Sequence, residues 1–287
     1  MGKAPVAAVD MPRPSNVIQS GYYWGYSLAA LTYSSLVGLF GPKAFTAYAW
    51  RYAFLVGLVV AVVGLLLRLT VPESELFNRM RQRGEIAKVP AAVLLKEHGA
   101  DFWRALLVMS GLYWVAYATL GYLPTYLGSI LRMPRGATFN AMFYAALIGG
   151  VLTVLGGALS DYVGRRRAFV IAGLLGIAAA YPLVLGLGGE LAATAVAAGL
   201  LVGIVGMGGG VMLAFIAELF PTRVRGSAVG LLWNMANIGS TIALLASPVV
   251  TLLYSPALGY SALLVVGYSL TIAGALISRD ATGSELK

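Results

Sequence analysis

The most specifically spaced reactive residues are Gly157, Asp161, Gly164, Arg165 and Arg166, with a second set further on at Glu218, Pro221 and Arg225. Their chemistry is charge pairing, not bond making. Asp161 closes an apolar run, where its carboxylate can accept hydrogen bonds from a neighbouring helix N-terminus. Gly164 permits a tight reversal, and Arg165 to Arg167 can hold phosphate headgroups or carboxylates. A plain basic hairpin loop would use the same composition. The second set ends one run with a carboxylate and opens the next with arginines, so the two clusters can interlock.

A further set is aromatic and amide in character. Gln19, Tyr22 and Tyr26 recur at i, i+3 and i+7, hence on one helical face, where they could line a site or form an interfacial aromatic belt. Tyr113 and Tyr117 sit well inside an apolar run, open to a ligand contact or to a backbone partner. Trp233, Asn234 and Asn237 lie near the start of another run, and an amide in lipid needs a cavity or a neighbouring helix. Asn234 and Asn237 are therefore the leading ligand candidates, with interhelical bonding as the alternative. Tyr144, one turn from Asn140, is a weaker candidate. Gly199, Gly203, Gly206 and Gly210 recur at i, i+4, i+7 and i+11 and predict a side-chain-free groove for close helix contact.

The elements that must position these residues follow from composition. The chain has 287 residues, 59% of them hydrophobic and 11% charged, with mean hydropathy +0.83. That leaves too little polar surface for a water-soluble enzyme. With no cysteine and a single histidine, His98, thiolate and polyhistidine metal sites are excluded, and neither a metal nor a cofactor is expected. Nearly uncharged runs at about 17–40, 52–67, 105–131, 136–160, 168–189, 191–217, 226–252 and 257–278 are long enough to cross a bilayer as helices. The expected fold is all-α and polytopic, with eight transmembrane helices. The last two runs are divided at Tyr254-Ser255-Pro256 by turn chemistry. An even count puts both termini on one side. That face carries 16 Lys and Arg, the other only Lys43, Arg51, Arg132 and Arg135, so both termini are expected in the cytoplasm of a multi-pass cell-membrane protein. Residues 1–68 form a two-helix part, 69–104 a charged cytoplasmic linker and 105–287 a six-helix part. His98, beside Glu97 in that linker, is expected to be solvated.

At these residues the chain resembles the major facilitator superfamily of secondary transporters. Gly157, Asp161, Gly164, Arg165 and Arg166 match its loop signature, and Glu218, Pro221 and Arg225 match its Glu-x-x-Pro-x-x-x-Arg pattern. Arg68-Leu69-Thr70-Val71-Pro72-Glu73-Ser74 looks like the segment closing its first half, and Trp50-Arg51 is similar to its metabolite–proton symporter and aromatic-acid branches. The resemblance aligns the eight spans with helices five through twelve and leaves the first four without a counterpart. It implies alternating access about a midplane site, a cytoplasmic gate built from Asp161, Arg165, Glu218 and Arg225, and a cavity lined by spans one, three, four, six and seven. It further implies a secondary active transporter of a small polar metabolite, an organic acid by preference and a sugar as the alternative. Shortness of the chain raises another reading: a non-transporting fragment, or one part of a split transporter whose missing helices come from a separate chain. Since every Asp and Glu lies in a loop or at a span end, a co-transported proton would need a carboxylate carried by those missing helices.

Overall fold

The computed structural model describes residues 15–70, 90–253, 255–280 and 282. The expectations placed on 1–14, on most of the linker at 71–89, on Pro72 to Ser74 and on Tyr254 lie outside the described residues. Among those described are eight long helices: α1 Ser15–Ala47, α2 Tyr52–Thr70, α3 Pro90–Ala116, α4 Arg135–Val163, α5 Arg165–Leu185, α6 Leu191–Leu219, α7 Thr222–Leu253 and α8 Pro256–Ile277. Seven helical segments are long and apolar enough to cross a bilayer, the second of them running from Ala91 to Ile130; α1 is long enough but richer in polar side chains. The protein is all-α and polytopic.

Local chemistry sets the boundaries. α1 breaks at Gly41, whose φ of 77° suits glycine, immediately before Pro42. Phe220 is extended, as the residue before a proline tends to be, which ends α6 and lets α7 start after Pro221. The division at Ser255-Pro256 has a cap: Leu258 donates its backbone N–H to Ser255 Oγ at 3.3 Å. α3 starts at Pro90, inside the segment expected as linker, and bends at His98, which has φ −127° and ψ 22°. Its early turns are packed, with Leu94 and Phe102 fully buried. His98 is half-buried, its ring edge-on to Phe220 at 6.4 Å, and is not the solvated side chain expected.

Packing follows the glycines. On α6, a Cβ at Gly199 would strike Ile148, at Gly203 Leu152, and at Gly210 the carbonyl of Thr153, so all three face α4. α4–α6 is accordingly the most extensive helix contact. α1 lies across α4, where Gly149 and Gly150 leave room for the rings of Tyr23 and Trp24. α1 packs mainly on α4 and α6 and only lightly on α2, none of whose residues is buried. Two cores result. Phe102, Phe169, Phe215 and Phe220 fill the end near the α4–α5 loop, and Tyr122, Tyr126, Tyr260 and Tyr268 belong to the core that extends toward the opposite end.

Past Ala116, α3 continues through two π-helical turns, Tyr117–Gly121 and Tyr126–Ile130. A π turn leaves carbonyls without their usual i+4 donors. Two are bonded from other helices: Tyr26 of α1 donates to Leu120 O and Tyr260 of α8 to Ala118 O, each at 2.8 Å.

Candidate functional site: a charge latch beside an aromatic–amide cavity

Arg165 opens α5 one residue after the reversal at Gly164, whose φ is 92°. That reversal turns its guanidinium into the bundle toward Glu218 at the end of α6. Nε donates to Oε2 at 3.1 Å and Nη2 to Oε1 at 3.0 Å, a bidentate pair. Both side chains are almost wholly shielded, at 5% and 2% exposure. Nη1 reaches Asp161 Oδ1 at 2.6 Å and Ser160 Oγ at 2.5 Å. Ser160, which spacing alone did not nominate, thus completes the shell, and its hydroxyl in turn donates to Gly157 O. Asp161 is far more open than Glu218, at 45%. Arg165 is the hub of one cluster joining α4, α5 and α6.

Arg225 lies apart from this hub. Its Nε donates to Phe220 O at 3.2 Å, and it pairs with no carboxylate among the described residues. Pro221 contributes its carbonyl, which accepts from the N–H groups of Val224 and Arg225. Arg166 sits near Asp280, beyond α8. Asp280 accepts from Thr282 Oγ1 at 2.5 Å, and Thr282 Oγ1 accepts the Arg165 backbone N–H at 3.0 Å. These bonds hold the Asp280 carboxyl below its ordinary value, with smaller help from Arg166 and Arg167. Gly164 has no side chain to cap α5, and the segment after α8 supplies one. Two further ion pairs, Glu97 with Arg223 and Asp101 with Arg279 at 3.7 Å, tie the start of α3 to this end of the bundle.

Between α1, α3, α6 and α7 lies a cavity of about 130 Å³. The structure brings Gln19, Tyr22, Tyr113, Tyr117, Trp233 and Asn237 together around it, with Tyr23 and Met212 also lining it. Tyr113 stacks on Tyr117 at 6.2 Å and meets Trp233 edge-on at 5.9 Å. Asn237 spends Nδ2 on Trp233 O and receives Ser240 Oγ on Oδ1 at 3.3 Å. The wall therefore offers phenol hydroxyls, two amides and an indole, and no formal charge.

Three expected residues lie elsewhere. Tyr26 shares the face of Gln19 and Tyr22, but its hydroxyl is committed to the π turn at Leu120. Asn234 is exposed, bonded back to Gly230 O at 2.7 Å, and lines no part of the cavity. Tyr144 is 48% exposed on a face of α4 turned from the cavity. α4 lines no part of the cavity, since its small residues are used against α1 and α6. Tyr23 could have been found from sequence only by knowing that Gly149 faces it.

Among known proteins, the family model described as Major Facilitator Superfamily matches residues 12–244. A Haemophilus influenzae protein named for metabolite transport is 28% identical over 93% of this chain and 64% of its own length. The inner membrane metabolite transport protein YhjE of Escherichia coli is 30% identical over 78% of this chain and 53% of its own. A citrate-proton symporter of Klebsiella pneumoniae is 26% identical over 73% and 47%. The chain thus spans about half to two thirds of the length of these relatives. All three are transport proteins by name, and none is an enzyme.

Proposed function

The chain belongs to the Major Facilitator Superfamily, and from that premise we propose that it serves secondary active transport of a small polar metabolite, an organic acid by preference, by alternating access. One observation carries the reading: an uncharged aromatic–amide cavity lies between α1, α3, α6 and α7, with Met212 in its wall on α6, the helix whose last turn holds Glu218 of the buried pair with Arg165. Phenols, amides and an indole suit a polar solute that carries a flat or unsaturated face. Closure of the latch end would deny access from that side, and its release would admit water and solute. The basic excess at the latch end supports a cytoplasmic placement for that end and for both termini, in the cell membrane.

Coupling to a proton is part of the proposal, and the citrate-proton symporter among the relatives supports it. Within the described residues Glu97, Asp101, Asp161, Glu218 and Asp280 gather at the latch end, so the coupling carboxylate at mid-membrane would come from helices outside the described residues. A second reading, a membrane piece that does not transport alone, is favoured by α2, which buries none of its residues. The test is uptake by proteoliposomes holding this chain, with a panel of labelled organic acids and hexoses and an imposed pH gradient. Saturable, gradient-dependent uptake of an acid supports transport; flat traces across the panel from well-incorporated protein would favour the second reading.

A further inference from the structure

We propose a second binding site, for an aromatic or unsaturated carboxylate, at the end of the bundle opposite the latch. A cavity of about 320 Å³ opens there between the π-helical end of α3, the start of α4 and the far end of α1. That is room for a small organic acid. Its only charged lining group is Arg135, exposed and so reachable, whose Nη1 donates to Thr46 and which pairs with no carboxylate among the described residues. The hydroxyls of Thr125 and Ser129 line the same wall, and both are exposed.

The other wall is aromatic. Phe45 is buried and meets Phe139 edge-on at 5.8 Å, and Phe139 stacks on Tyr33 at 5.4 Å, so both rings are held in place. A guanidinium with one nitrogen on Thr46 and no carboxylate partner among the described residues, beside hydroxyls and facing a fixed pair of rings, matches a planar ligand with a carboxylate at one end. The backbone nearby is also unusual: Arg132, one residue before the lining Met133, has φ 55°, a left-handed conformation that non-glycine residues rarely adopt. Phe45 and Thr46 come from α1, the rest from α3 and α4, so an occupant would bridge the seam between them. The site shares no residue with the central cavity, and the proposal does not depend on transport.

The experiment is calorimetric titration of the purified chain with benzoate, using benzamide as the uncharged control of the same shape. Benzoate binding that weakens roughly tenfold or more in Arg135→Gln, partly in Arg135→Lys, and little in Asn234→Leu, which lines neither cavity, supports the site. Benzamide should bind no better to the intact chain than benzoate binds to the Gln variant. Four results would overturn it: no benzoate binding by the intact chain in the millimolar range, equal binding by the Arg135→Gln variant, equal binding of benzamide, or loss in Asn234→Leu as large as in Arg135→Gln. Each variant is checked for the unchanged elution profile of a folded membrane protein, and Arg135→Lys retains the charge if the Gln variant proves unstable.

Discussion

Arg165 and Glu218 form a two-pronged ion pair, 3.1 and 3.0 Å, between the first residue of α5 and the last turn of α6, with both side chains out of contact with solvent. A buried pair of this kind contributes little net stability over an apolar replacement, yet removing one partner strands the other charge. In the proposed gate that asymmetry would serve closure: the pair is secure when dry and exchangeable for water when the helices part.

Glu218→Ala should lower stability by about 3–5 kcal/mol, because it leaves the Arg165 guanidinium buried against one remaining, half-open carboxylate. Asp161→Asn should cost under about 1 kcal/mol, since Asp161 is about half exposed and the Glu218 pair remains. Thermal unfolding of the two variants in one detergent checks the ranking. Equal shifts would mean that Arg165 is not the hub described.

Tyr26→Phe should destabilise the π-helical part of α3 by about 1–3 kcal/mol, because the Leu120 carbonyl loses its donor in a partly buried setting. Hydrogen exchange along 117–130 is the readout. Exchange that is unaltered there would show that Tyr26 does not support the turn, and would return it to the candidates for ligand contact.

Asn237→Leu should reduce solute uptake at unchanged membrane abundance, whereas Asn234→Leu should leave uptake nearly intact, since only Asn237 reaches the cavity. Uptake normalised to protein in the membrane distinguishes the two. Reversed effects would place the cavity on the wrong face of α7.

Gly210→Ala should be poorly tolerated, as its Cβ would fall on the Thr153 carbonyl, a backbone atom that cannot swing aside. Gly57→Ala, with open space around it, should be neutral or stabilising by about 0.5–1 kcal/mol through helix propensity. Folded yield after extraction measures both.

The cap on α5 should be pH-dependent. Asp280 has a carboxyl held below its ordinary value of 3.8, so its contribution is complete above 3.8 and is lost as pH falls through the lower value of the folded protein. Protection of the Arg165 amide should follow that course and be weaker throughout in Asp280→Asn. A protection profile identical in both chains would remove Asp280 from the cap.

Most of the helical layout was legible because hydrocarbon thickness imposes a length on apolar runs and turn chemistry marks their ends, as at Ser255-Pro256. The latch was legible in part. Spacing named Asp161, Arg165 and Glu218, but it also enlisted Arg225, whose nearest bond is to the carbonyl of Phe220, and it passed over Ser160. Helical periodicity put Gln19, Tyr22 and Tyr26 on one face correctly; it could not show that α3 becomes π-helical beside Tyr26 and claims its hydroxyl. Tyr144 was misplaced because one helix gives no sign of which face its neighbours occupy. The capping of α5 by Thr282 joins residues remote in sequence, and no local pattern encodes it.

The central claim is that the Arg165–Glu218 pair closes the latch end of the bundle over the cavity. The chain has no cysteine, so a single Met212→Cys in the cavity wall can be labelled without background. A water-soluble maleimide supplied from the latch side should react slowly with that cysteine in the otherwise native chain and at least about tenfold faster when Glu218→Gln is added, a change equivalent to about 1.4 kcal/mol in gate opening. Equal rates in the two proteins would show that the pair does not control entry.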